Sequence, residues 1–246
     1  LGVLDKAKPL EAVTSGKLWV TYGKSGSGKT AFIGGFPKPL LYIQFGDDGS
    51  GTLEGIEGIK IIRPESFTEL KDILLELRKD KVYKTVACDT FSLLVEEWID
   101  ANAAKKNKRM SQQMWGDLKT DASELIREFK GIAKLGKEVV LTCHEVNDGI
   151  EGMEEEILPE VRPSMNKGVR TYLEGMANFG IHMVVKQKDK PQDDGTVKTT
   201  YIYGAHIGPN PYYWTKTQKP PSMKIPSFVP NLTYTKLKNR LLSGNE

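Results

Sequence analysis

The chain has 246 residues, of which 39% are hydrophobic and 27% charged, with a formal net charge of +3. This is the composition of a folded globular domain and excludes a disordered or fibrous chain. No apolar run approaches the ~20 residues needed to cross a bilayer, so no membrane association is expected. The opening residues lack the charged-then-apolar pattern of an export signal, which favours a cytoplasmic location.

In chain order, β-branched and aromatic runs at 17–22, 40–45, 59–62, 82–88 and 138–143 alternate with helical patterns. That alternation predicts an α/β fold, a mainly parallel sheet flanked by helices. Ser66 and Glu69 have capping-box spacing, and Leu70, Ile73, Leu74 and Leu77 follow on one helical face. Phe91, Leu94, Val95 and Trp98 repeat the pattern after the fourth run, and Met114, Leu118, Ala122, Leu125, Phe129 and Ile132 mark a longer helix that Gly136 is placed to end. Cys88 and Cys143 each lie inside an apolar run and read as reduced core thiols. Residues 147–160 carry six acids and no bases, followed by Arg162, Lys167 and Arg170, and read as a long mobile loop. Runs at 180–186 and 198–203 across Asp194-Gly195 predict a hairpin. The last segment, 209–246, holds six of the 13 prolines and six basic residues against one acid. One domain is expected, with an N-terminal arm (1–16), a core (17–208) and this basic, proline-rich C-terminal extension lying against the core.

Gly23-Lys24-Ser25-Gly26-Ser27-Gly28-Lys29-Thr30 satisfies G-x-x-x-x-G-K-[ST], directly after a predicted strand and before a short helical stretch. In that context the glycines let backbone N–H groups point at phosphate oxygens, and the helix start adds partial positive charge. Lys29 is expected to reach the β- and γ-phosphates of ATP, and the Thr30 hydroxyl to coordinate magnesium. A metal-bound triphosphate also needs a carboxylate at the end of another core strand. Asp89, closing Thr85-Val86-Ala87-Cys88-Asp89, could cap the next helix or stand in the magnesium shell; beside a P-loop the second role is favoured.

The order of these motifs resembles the RecA-like P-loop ATPase family, most closely its phage-encoded nucleotide-binding proteins implicated in single-strand annealing and recombination, over about 17–220. The elements that carry the resemblance are the P-loop, the strand ending Cys88-Asp89-Thr90, and Val139-Val140-Leu141-Thr142-Cys143-His144. It implies that His144 stands where the family has a polar γ-phosphate sensor leading into a DNA-binding loop. It implies a catalytic base after the second strand, where this chain departs from the usual glutamate and offers Asp47 or Asp48, with Asp47 favoured. It also implies two segments facing single-stranded DNA, one with Lys105, Lys106, Lys108 and Arg109 and one with Arg162, Lys167 and Arg170; such clusters can neutralise phosphates, although isolated basic runs are often only solvated surface. Assembly into a ring or filament is implied too, with Lys216, or second to it Lys219, reaching a neighbour's γ-phosphate.

The expected function is therefore hydrolysis of ATP, with magnesium, by an oligomer acting on single-stranded DNA in recombination, annealing or replication, with DNA stimulating turnover. Two alternatives are a nucleotide-gated binding module with negligible hydrolysis and a small-metabolite kinase. The kinase would need phosphate-clamping arginines, whereas most loop cations here are lysines.

Overall fold

The computed structural model describes residues 16–46, 49–105, 110–148, 161–192, 197–219 and 224–243. Its centre is a sheet of nine strands: β1 (Leu18–Tyr22), β2 (Leu40–Gln44), β3 (Ile59–Ile62), β4 (Thr85–Asp89), β5 (Glu138–Cys143), β8 (Phe179–Pro191), β9 (Val197–His206), β10 (Lys216–Thr217) and β11 (Phe228–Pro230). Their order is β11-β9-β8-β1-β5-β4-β2-β3, with β10 added to the edge of β8. From β3 to β8 every pairing is parallel, while β9, β10 and β11 pair antiparallel. A separate antiparallel pair, β6 (Glu145–Asn147) with β7 (Val161–Pro163), follows β5. The predicted α/β class is thus observed.

Strand alternation builds two apolar layers. Leu18, Val20 and Tyr22 of β1, Leu41 and Ile43 of β2, and Val139, Leu141 and Cys143 of β5 share one face. On that face lie α2 (Phe67–Leu77), α3 (Phe91–Lys105), α4 (Gln112–Lys134) and α5 (Lys167–Met176). Trp19, Leu40, Tyr42, Ala87 and Val140 point the other way, against α1 (Lys29–Gly34) and α6 (Tyr234–Ser243). Both faces being covered is why these strands read as continuous apolar runs. The predicted cap forms, Ser66 Oγ accepting from Glu69 N, and a cap not foreseen stands at the head of α4, where Ser111 Oγ accepts from Met114 N.

Three sequence expectations change. The fourth run starts its strand at Thr85 and not Val82, because the Asp80 carboxylate takes the N–H groups of Val82 and Tyr83 into a turn. The hairpin strands run well past 186 and 203, with their turn at 193–196 outside the described residues. The stretch holding Arg162, Lys167 and Arg170 is ordered as β7 and α5, not loop; Asn166 caps α5 by accepting from Gly168 N. The C-terminal extension does lie against the core, since β11 pairs with β9 and α6 buries Tyr234 and Leu237.

Candidate functional site

Parallel order puts the C-terminal ends of β1, β5 and β4 side by side, with β5 between the other two. The residues just past those ends, Gly23, His144 and Asp89–Thr90, therefore converge at one rim, the usual place for a ligand in an α/β sheet. A cavity of about 710 Å³ opens there, lined by Ser25 to Phe32, Gly49, Asp89, Thr90 and His144, and on its far side by Met183, Tyr203, Gly204 and Asn231 to Thr233.

The loop 23–30 packs too tightly for side chains at its start. A Cβ on Gly23 would lie 2.3 Å from Met183 O and 2.7 Å from Ser27 Oγ, and its φ of +156° is one that L residues rarely adopt. Lys29, the first residue of α1, is 7% exposed and turns back to donate to Gly23 O and Lys24 O, each at 2.9 Å, which keeps the ammonium over the loop. Ser27 Oγ is buried with no hydrogen-bond partner among the described residues. Such a group is costly unless something polar arrives.

Asp89 is 3% exposed and saturated with hydroxyls. Its Oδ2 accepts from Thr30 Oγ1 and Tyr42 OH, both at 2.8 Å, and its Oδ1 accepts from Thr142 Oγ1 and from Thr90 Oγ1 at 3.1 Å. The aspartate is thus fixed by three strands, through Tyr42 on β2 and Thr142 on β5 as well as its own. Burial and the Asp89 carboxylate hold the Tyr42 phenol well above its ordinary pKa, so it remains a donor. The chain passes close overhead at Gly49, where a Cβ would meet Thr30 Oγ1 at 3.0 Å and Tyr42 OH at 3.2 Å. A hydroxyl touching a carboxylate is the hard-oxygen donor set that magnesium takes. With the orphaned Ser27 hydroxyl and a lysine beside it, the residues fit a magnesium-bound phosphate chain.

His144 lines the cavity, with its N–H donated to Ser92 Oγ at 2.9 Å and its carbonyl accepting from Ser164 N at 2.8 Å. Asp47 and Asp48 lie outside the described residues, between Gly46 and Gly49. Gln44, in register with Asp89 at the end of β2, stands nearest to the expected position of a base, but its amide donates to Gly46 O and accepts from Arg63 Nε.

Of the other predicted residues, those described sit away from the cavity. Lys106, Lys108 and Arg109 are outside the described residues, and of Lys105 only the backbone at the end of α3 is described. Arg162 pairs with Glu174 at 3.2 Å, and Arg170, 5% exposed, pairs with Asp148, while Lys167 is exposed at the start of α5. Lys216 Nζ donates to the carbonyls of Glu174 and Gly175 near the end of α5 and does not line the cavity of its own chain. Trp115, on the first turn of α4, is 39% exposed.

Tyr42, Thr142, Met183, Tyr203 and Asn231 were missed by the sequence reading. Thr142 lay inside a quoted motif, yet its contact depends on β5 being β4's neighbour; Tyr203 and Asn231 reach the rim through antiparallel additions that no motif marks.

No described helix is long and apolar enough to cross a membrane. No curated protein matches the chain. The family model of the AAA domain (AAA_24) matches residues 16–217, from the lead into β1 to β10, and the chain belongs to this family of AAA-type P-loop ATPase domains.

Proposed function

We propose that this ATPase domain hydrolyses magnesium-bound ATP at the rim cavity and acts on single-stranded DNA in recombination, annealing or replication, in the manner of RecA-like proteins. The observation that carries the nucleotide part is the convergence of Lys29, Thr30, Asp89 and His144 on one cavity behind a glycine-built loop. Lys29 has only to swing from the two loop carbonyls to meet β- and γ-phosphate oxygens. Thr30 and Asp89 would hold magnesium, which when bound would neutralise charge on those oxygens. Asp89 is a poor general base for water, since its four hydroxyl donors occupy it. We assign that role to Asp47, two residues before Gly49 in the sequence, Gly49 itself packing against Thr30, Tyr42 and Asp89. The far wall, Met183, Tyr203 and Asn231, offers an aromatic face and an amide of the kind that holds a nucleobase.

Support for the DNA part is the motif order, in which β5, ending at Cys143, is followed by His144 and then by β6, β7 and α5. Ring or filament assembly, a phage source and a role for Lys216 across a subunit boundary belong to the same reading. A second reading, tight ATP binding with negligible turnover, is favoured by Gln44, an amide where a carboxylate is expected. ATP turnover measured with and without single-stranded DNA separates the two. Stimulation several-fold or more is the expected result; tight binding with no turnover under either condition would leave the second reading.

A further inference from the structure

At the opposite end of the central strands from the ATP cavity lies a groove of about 590 Å³ between the end of α2, the turn into β4, the α4–β5 turn and α6. Lys84 enters β4 at one end and Asp89 leaves it at the other, about 17 Å apart at ~3.3 Å per residue. Occupancy of the groove and of the ATP cavity are therefore compatible.

The groove's acids are spent inward. Asp80 accepts from Val82 N, Tyr83 N and the buried Lys137 ammonium, the last at 2.7 Å. Glu138 accepts from Trp19 Nε1 at 2.6 Å and from Tyr234 OH at 3.1 Å. Lys79, Lys81, Lys84 and Lys238 are left around the rim, all exposed, and none has a carboxylate partner among the described residues. Lys238 is steered by the Tyr234 ring, 5.6 Å below its ammonium. Four unneutralised cations gathered on one concave surface repel each other, and a polyanion relieves that repulsion. The contrast with β7 and α5 is direct, because Arg162 and Arg170 already spend their charge on Glu174 and Asp148.

We propose that this groove seats the phosphate backbone of single-stranded DNA. The inference rests on the DNA-acting reading and adds where the strand lies. Binding there is by charge and carries no base preference.

The test is titration of a fluorescein-labelled thirty-residue oligothymidylate over a range of salt. It compares the wild-type chain, a variant with Lys79, Lys81, Lys84 and Lys238 all changed to Gln, and a control with Lys60, Lys119, Lys188 and Lys198 changed to Gln. A fluorescent ATP analogue reports that each protein retains its nucleotide cavity. Single-strand contacts contribute about −0.7 each to the slope of log affinity against log salt, so the groove variant should be flatter by about 3, and weaker by tenfold or more at low salt, with the control close to wild type. An unchanged slope in the groove variant, or equal flattening in the control, would overturn the groove while leaving the DNA-acting reading standing. Absence of any DNA binding by the wild type would overturn both.

Discussion

Asp89 shows how much of the site is held by hydroxyls rather than by opposite charge. Four donors from Thr30, Tyr42, Thr90 and Thr142 converge on one carboxylate, so its geometry is set before any nucleotide arrives. Changing Asp89 to Asn leaves the loop and Lys29 intact but presents an amide N–H₂ to hydroxyls that must then turn away. We expect ATP affinity within a few-fold of wild type, turnover lower by about a hundredfold or more, and stability lower by roughly 1–3 kcal/mol. Steady-state turnover beside a binding titration checks this, and equal turnover in the two proteins would remove Asp89 from the metal shell. The P-loop and Asp89 were legible in the sequence as local signals at strand ends, whereas His144 was singled out only through the family resemblance in motif order. Tyr42 was not legible, because its only mark is a register that brings β2 beside β4.

Among the elements, β1, β8 and β9 join through a column of rings. Tyr22, His182, Tyr213 and His206 stack with centroid separations of 4.8, 4.3 and 4.6 Å, and Phe228 closes the column at 5.3 Å from His206. His182 reaches Glu145 of β6 at 2.8 Å, tying the strand that follows His144 to the sheet. Burial, then the nearby charges of Lys186 and His182, lower the His206 pKa from 6.5 to about 4. The folded state therefore prefers the neutral ring, and this contribution is complete above pH 6.5 and is lost as pH falls towards 4. Thermal unfolding followed across that window should show a falling midpoint, with a smaller fall in His206→Gln; parallel curves for the two proteins would contradict the assignment. Strand alternation and helix caps made the parallel half of the sheet readable in advance. The β6–β7 pair and α5 were not: the six acids of 147–160 and the glycines at 168 and 175 read as loop, although Val169, Tyr172, Leu173 and Met176 carry a helical apolar stripe that packs on the core.

At the scale of the whole molecule, assembly and nucleotide occupancy turn on two lysines, Lys216 and Lys29. Lys216 holds the end of α5 within its own chain, so a role at a neighbour's γ-phosphate requires it to leave the carbonyls of Glu174 and Gly175. If it does, subunits with Lys216→Ala and subunits with Lys29→Ala, each inactive alone, should regain part of their turnover when co-assembled; no recovery in demonstrably mixed oligomers would confine Lys216 to capping α5. Under the proposed function ATP binds with magnesium at the loop 23–30, a reading supported by the rim cavity and the family match. Calorimetric titration of ATP in the presence and absence of magnesium, into the wild-type chain and Lys29→Ala, tests that most directly. The account predicts one magnesium-dependent site per chain, weakened about tenfold to a hundredfold in Lys29→Ala by loss of a charge-assisted contact worth roughly 1.5–3 kcal/mol, with cooperative unfolding retained. Equal affinity in a folded Lys29→Ala protein would contradict it.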